Sequence, residues 1–429
     1  MRKLFLTALV IPLILGCSGT ETPEPVNQAP RISFTTTEIA FGYTTPHNLA
    51  VSVSDPEGDA LSVTWEITGG TLVPQNSQKT IMEWTPVRSV GEDVVTITVS
   101  DGELSDFVTE PLKRGTRRTP SIYDSAQFIA AESPYIIDPT EETISFGYPN
   151  HGTVSIAAGV ELYINKRNLA IEVVGVLEAT GTQADTVLIR PNDRTLRCAD
   201  QRGWWEGFRV VSDEVSAGQA NMTWTQVSYG VKNLWVQGGA GANVTNCRFV
   251  CSSEAGVMMS SADALVVDNC DISSNRSIGI NVSSLSAIPI RVTITNNLIK
   301  SNGHTGINLN LQDSAQTLTT VITGNSIQFN AVHGIALTNS AWADIQHNDF
   351  FLNNLSNVSN IWLETPYPGT VFVPADWDTL LATNNWWSRA YDPGQANFIE
   401  ETVRDRSDNP TLGTYVIVTP WENEKQSNH

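Results

Sequence analysis

Positive charge is scarce in this chain. Its 429 residues hold 25 Lys and Arg against 45 Asp and Glu, a formal net charge of −20. Between Lys300 and Arg389 there is no Lys or Arg at all. Binding a phosphate backbone needs clustered cations, so nucleic acid is excluded as a partner. Long apolar runs are missing too. The run from Leu4 to Leu15 falls short of the roughly 20 residues that a bilayer-spanning helix needs. The dense leucine consensus of a leucine-rich repeat is absent. Cysteine is sparse: five in all, of which Cys17 lies in the leader. At this length two domains fit, and the larger can bury a sizeable core.

What is present is a repeat. A small polar residue stands two before a large apolar one at Cys247-Arg248-Phe249, Cys270-Asp271-Ile272, Asn297-Leu298-Ile299, Asn325-Ser326-Ile327 and Asn348-Asp349-Phe350. The steps are 23, 27, 28 and 23 residues, and Asn385 follows after 37. A second polar position recurs at Ser252, Asn275, Asn302, Asn330 and Asn353. Glycine then opens an alternating stretch at Gly256, Gly279, Gly306 and Gly334. Alternation at period two predicts strands. A unit this short cannot bury its own apolar face and must stack on its neighbours. The expected fold is all-β: a right-handed parallel β-helix, with coils roughly 4.8 Å apart, preceded by a small antiparallel β-sandwich. Asn297, Asn325, Asn348 and Asn385 are expected to form a structural ladder of stacked amides. Left-handed backbone at the corners is expected to fall on asparagine. Glycine is expected where a Cβ would clash.

Upstream, Thr153–Val160, Leu162–Ile164, Ile171–Thr182 and Gly203-Trp204-Trp205-Glu206-Gly207-Phe208 resemble the N-terminal coils of bacterial pectate-lyase-like β-helix proteins. Asn384-Asn385-Trp386-Trp387-Ser388 resembles their closing motif, with Ser388 where the family has glycine. The resemblance spans residues 119–422 and specifies architecture better than function. The chain's start, Arg2-Lys3 and then an apolar run ending Leu15-Gly16-Cys17, resembles a bacterial lipoprotein signal. That implies residues 1–17 as signal and Cys17 as the lipid attachment, with the outer membrane as the expected site. Residues 18–29 read as a polar tether, and residues 423–429 as a disordered tail.

Residues 30–113 resemble an immunoglobulin- or cadherin-like module. Asp55-Pro56-Glu57-Gly58-Asp59 leads into Leu61-Ser62-Val63-Thr64-Trp65, and Val94–Val99 leads into Asp101-Gly102. Trp65 reads as the packed tryptophan. Asp55, Glu57, Asp59 and Asp101 are candidate Ca²⁺ ligands, against the alternative of solvated acidic turns. Residues 113–118 (KRGTRR) read as a basic, solvated joint. Cys247 and Cys270 share one ladder position in adjacent coils, which permits either a disulfide or stacked thiols. Cys198 with Cys251 would complete the set, though four cysteines allow three pairings.

β-Helices carry polysaccharide-cleaving enzymes, whose chemistry needs facing carboxylates or a base with a charge-neutralising partner on one wall. The polygalacturonase and pectate lyase signatures are absent. Asp268 and Asp271 are expected to point outward three coils from Asp344 and Asp349, about 14 Å away. Glycosidase carboxylates stand roughly 5–9.5 Å apart. His304 and His333 are near neighbours at one corner. Trp342, Trp362 and Trp377 are candidate sugar-stacking residues, against packing of a loop and cap. The leading expectation is a non-catalytic, lipid-anchored β-helix that binds polysaccharide or serves adhesion. A polysaccharide lyase or hydrolase, using Glu364, Asp376 and Asp378 near Asp344 and Asp349, and a purely structural envelope protein are the rivals. No cofactor is required.

Overall fold

Period-two alternation becomes three parallel walls. The computed structural model describes residues 26–200, 203–284, 290–311, 319–339, 343–353, 361–363, 379–382, 385–387, 403–404 and 415–417. One coil shows the plan. Gly241–Thr245 lies in the first wall, Arg248–Val250 in the second and Ala255–Ser260 in the third. Each strand pairs in parallel with its counterpart one coil on: Gly241 with Ala264, Phe249 with Ile272, Val257 with Ile280. Among the described residues the first wall has nine strands and the third eleven.

The inward residues are those that the repeat marks. Phe249, Ile272, Ile299, Ile327 and Phe350 are fully buried, as are Val257, Ile280, Ile307 and Ile335. Each such side chain contributes roughly 1.5–3 kcal/mol by leaving water. Consecutive coils supply them in register, so the core is one continuous column.

Corners are where strands leave the walls and their backbone groups need partners. Two interior ladders supply them. In the first, the Cys270 N–H donates to Asn297 Oδ1 (2.8 Å), Asn297 N–H to Asn325 Oδ1 (2.9 Å), Asn325 N–H to Asn348 Oδ1 (3.0 Å) and Asn348 N–H to Asn385 Oδ1 (2.8 Å). The second runs from Ser252 through Asn275, Asn302 and Asn330 to Asn353 in the same way. Each amide nitrogen also reaches back, as Asn297 Nδ2 does to Val267 O (2.9 Å). All these asparagines are 0–1% exposed.

The left-handed residues are not the ladder asparagines. They stand one position earlier: Asn246, Asn269, Asn296, Gly324 and His347 before the first ladder, and Cys251, Ser274, Ser301, Phe329 and Leu352 before the second. The turn is made by the preceding residue, and the asparagine is left to point inward. The ladder glycines serve space rather than backbone angle. A Cβ on Gly256 would stand 2.8 Å from Asn275 Nδ2, and one on Gly306 would stand 2.8 Å from Asn330 Nδ2.

At the N-terminus two antiparallel sheets face each other. One orders Arg31–Phe34, His47–Ser54, Ile81–Thr85 and Thr71–Pro74; the other contains Ser62–Ile67, Gly91–Ser100 and Ser105–Arg118. The fully buried tryptophan between them is Trp84, edge-on to Phe41 at 5.5 Å. Trp65, expected in that role, is half-buried and donates from Nε1 to Lys79 O (2.7 Å).

The basic segment is no joint. Strand Ser105–Arg118 runs through it without a break, and Thr116–Arg118 already pairs in parallel with Tyr135–Ile137. The second wall therefore continues into the sandwich as one 14-stranded sheet. Each of the four cations has a carboxylate partner: Lys113 with Glu161 (2.7 Å), Arg114 with Asp93 (2.9 Å), Arg117 with Asp138, and Arg118 with Glu132 (2.9 Å). The sandwich thus covers the sheet edge that the first coil would otherwise expose.

An arm strengthens this junction. Asn192 Oδ1 accepts from the Ile39 and Ala40 N–H groups at 2.9 and 2.8 Å. Arg194 N–H donates to Thr37 O (2.8 Å), and its side chain meets Glu38 O (3.0 Å) and Glu110 (2.6 Å). Cys198, four residues on, forms a disulfide with Cys251 at the corner that follows strand Arg248–Val250. Cys247 and Cys270 are buried free thiols. The disulfide weighed for that pair does not form. The two continue the first ladder instead, the Cys247 N–H donating to Cys270 Sγ at 3.3 Å. Burial pushes the Cys270 thiol well up, so it stays neutral.

Candidate functional site on the third wall

The column of surface positions along the third wall is fixed by strand register. Glu172 aligns with Arg209, Arg209 with Trp235, Trp235 with Met258, Met258 with Asn281, and Asn281 with Asn308. A second column two residues on runs Gln237, Ser260, Ser283, Asn310. Leu234 and Val236 are fully buried, which turns Trp235 between them to the surface, where it is half-buried. Its Nε1 donates to Ser260 Oγ (3.2 Å), and Lys232 Nζ lies 4.8 Å from its ring centroid. Further along, Asn308 Nδ2 donates to Asn281 Oδ1 (2.9 Å), an external amide ladder matching the internal ones.

A cleft of about 430 Å³ opens beside Trp235's strand, lined by Glu172, Arg209, Val211, Ser212, Gln237, Gly238 and Ser260. Arg209 pairs with Glu172 at 3.2 Å, and Lys232 with Glu254 at 2.6 Å. Arg209 Nε and Ser212 Oγ are buried without a hydrogen-bond partner. Just past Ser212, Asp213 pairs with His151 at 2.7 Å. The hydrogen bond from His151, with the Ser216 and Val215 N–H groups behind it, pulls the Asp213 carboxyl down to about 2. A carboxylate held so low is a poor general base at neutral pH.

Sequence reasoning missed Trp235, Arg209 and Glu172. The signal was present: the alternation from Val231 to Val236 already put Trp235 out of phase with the core. The aromatic candidates chosen instead are less placed. Trp342 and Trp377 lie outside the described residues, as does Cys17. Trp362 stands in strand Ile361–Leu363, in register with Ala336. Glu364, Asp376 and Asp378 lie outside as well.

The acidic candidates do not assemble. Asp268 and Asp344 fall in different columns of the first wall, Asp268 beside Thr295 and Asp344 beside Val321. Asp271 and Asp349 share a column, separated by Leu298 and Ser326. Asp349, expected to face out, is 1% exposed. His304 and His333 meet edge-on at 6.2 Å, with His304 exposed and bonded to Thr305 Oγ1 at 2.8 Å.

Nor do the four proposed Ca²⁺ ligands gather. Among the described residues no group of three or more His, Cys, Asp or Glu side chains is arranged to hold a metal ion. The carboxylates close turns instead. Asp55 Oδ1 accepts from the Glu57 and Asp59 N–H groups at 2.9 and 3.0 Å, and Asp101 Oδ1 from Glu103 and Leu104 at 2.7 Å each. Glu57 receives Gln28 Nε2 at 2.7 Å. Asp55 Oδ2 and Asn27 Oδ1 are buried without partners.

With this geometry established, known families match both parts of the chain. The family described as right handed beta helix region matches residues 215–350, and the bacterial Ig domain family matches residues 25–109. The chain joins a bacterial Ig domain to a right-handed β-helix. No curated protein matches it. Among solved structures, the crystal structure of a double mutant of the periplasmic alginate epimerase AlgG is similar, at 9% identity and a TM-score of 0.33, over 65% of this chain and 82% of that one. A likeness that loose says nothing of what this β-helix does.

Proposed function

We propose that the chain is a bacterial cell-envelope lipoprotein, anchored through Cys17, whose β-helix binds polysaccharide along its third wall without cleaving it. The carrying observation is that wall. It has a partly exposed tryptophan beside a cleft, and the next three coils carry Met258 and then a run of amides and hydroxyls, with no ionisable group in the two columns. Sugars are recognised by an aromatic face plus convergent hydrogen-bonding groups, and a regular stack repeats such groups at a fixed spacing. The spread of the described acids across columns favours binding over hydrolysis. The bacterial Ig domain and the leader-like start favour the envelope.

The enzyme reading keeps one observation in its favour, the His151–Asp213 pair at 2.7 Å next to the cleft. A single experiment separates the two. The full chain is run by affinity electrophoresis against a panel of acidic and neutral polysaccharides. The same mixtures are assayed for new reducing ends and unsaturated products. Retardation without products is expected; products would sink the non-catalytic reading, and neither would leave a structural envelope protein. For the anchor, Cys17→Ser is expected to move the protein from the membrane to the soluble fraction.

A further inference from the structure

Two cations flank Trp235, and both already have carboxylate partners, Arg209 with Glu172 (3.2 Å) and Lys232 with Glu254 (2.6 Å). An acidic sugar arriving here would have to displace one of those glutamates and would gain little net charge pairing. It would also approach a chain of formal net charge −20, and like charge slows and weakens encounter. Over the three coils that follow Trp235 the two surface columns carry Met258, Asn281 and Asn308, and Ser260, Ser283 and Asn310. Amides and hydroxyls of this kind match sugar hydroxyls, which both donate and accept. The two orphaned groups at the cleft, Arg209 Nε and Ser212 Oγ, are potential donors that a neutral hydroxyl or ring oxygen can satisfy without disturbing either ion pair.

We propose that the Trp235 end of the third wall, with the cleft between Arg209, Ser212 and Gln237, is a subsite for an uncharged saccharide, whose ring lies against Trp235 and whose chain continues over Asn281 and Asn308. This rests on the polysaccharide-binding reading above and adds the ligand class and the place. The Glu172–Arg209 pair positions the cleft wall and takes no charge from the ligand. Trp235 to Asn308 spans three rungs, about 14 Å, so the surface accommodates a short run of sugar units rather than one.

The test measures binding of the full chain to a neutral β-glucan and a galactomannan on one side, and to polygalacturonate and alginate on the other, at low and high salt. Three variants accompany the native chain: Trp235→Ala, Asn281→Ala and Arg209→Gln. Thermal unfolding is recorded for each, so that loss of binding is read only from folded protein. The expected result is binding to a neutral polymer that salt leaves unchanged. It should weaken by about tenfold in Trp235→Ala and by less in Asn281→Ala. Binding confined to the polyuronates, falling with salt and with Arg209→Gln, would overturn the uncharged class while leaving the polysaccharide reading intact. Neutral binding that both Trp235→Ala and Asn281→Ala leave untouched would overturn the place. No binding to any polymer would overturn the subsite and the reading beneath it together.

Discussion

The coils from Cys247 to Asn385 and the region before them, the Ig domain with the coils that end at Thr245, are held together by different chemistry. The later coils line two corners with buried ladders, which begin at Cys247, Cys270 and Ser252 and go on as asparagines such as Asn297, bonded to the coils on either side. The earlier region closes its corners and its junction with the Ig domain through scattered ion pairs, such as Arg118–Glu132 and Arg194–Glu110, and through large rings such as Phe128, Phe146, Trp205 and Phe208. Repetition explains the difference. An amide ladder works only if successive coils present hydrogen-bonding groups at the same place, because each Asn side chain bonds to the coil beside it. Where coils vary in length and must also receive another domain, each contact is made once, by whatever pair the local geometry allows.

Breaking one rung should therefore cost more than breaking one ion pair. Asn325→Leu is the largest expected effect. Asn325 Oδ1 accepts from both Asn297 N–H and Asn297 Nδ2 at 2.9 Å, and its Nδ2 serves Ile294 O (2.8 Å) and Asn348 Oδ1 (2.8 Å). Leucine strands several buried groups at roughly 1–3 kcal/mol each, so a loss of about 3–5 kcal/mol or more is expected in urea unfolding. An unchanged midpoint would remove the ladder from the account of stability. Next comes Gly279→Ala. The new Cβ would stand 2.6 Å from Gly306 O and 2.9 Å from Asn302 Nδ2. Backbone on one side and a locked amide on the other cannot both yield, so about 1–3 kcal/mol is expected. A neutral result would mean that the corner opens easily.

On the other side of the comparison, Arg194→Ala should cost about 1–2 kcal/mol or less and should act locally. It removes the bonds to Glu38 O and Glu110 and the contact with the Phe34 ring at 5.2 Å. The Asn192 clamp and the disulfide from Cys198 remain. Limited proteolysis should accelerate in the arm and around Thr37, while amide exchange in the ladder coils stays as it was. Faster exchange at Asn325 would show that the two regions unfold as one unit, and the contrast drawn above would fail.

How much was legible in the sequence follows the same division. The walls, the inward apolar residues and the ladder asparagines could be read because the repeat states each of them five times. Cys247 and Cys270 could be placed on the ladder but not paired, because a stacked rung suits a thiol as well as a disulfide. The junction was not legible: Lys113 to Arg118 looks like a solvated basic linker until Asp93, Glu132, Asp138 and Glu161 arrive from other strands. Trp235 does not stand out in the sequence for a related reason. Tryptophans were sought where the chain breaks its pattern, whereas Trp235 sits within the pattern, one residue out of the core phase. Asp349 erred the other way, buried at a position where neighbouring coils carry Leu298 and Ser326.

Acid gives the mildest version of the same contrast. Carboxyls held below their usual range lie in the earlier region, among them Asp213 at about 2, mainly through the His151 hydrogen bond, Asp124 through Asn150, and Asp101 through the Leu104 and Glu103 N–H groups. A folded carboxyl whose pKa is depressed contributes stability above its unfolded pKa, near 4, and that contribution disappears as pH falls through the folded value. For Asp213 the window runs from about 4 to about 2. All three side chains are open to solvent, so each effect is small and salt-sensitive. The ladder amides do not titrate, and no rung should weaken in that window. Pepsin digestion at pH 3 and at pH 2 reads this directly. Cuts should begin in the Ig turns and around residues 148–152 and 212–218, and fragments retaining the ladder coils should survive longest. Loss of the ladder coils first would mean that acid acts through their core rather than through these turns, and that the ion-paired region is the firmer of the two.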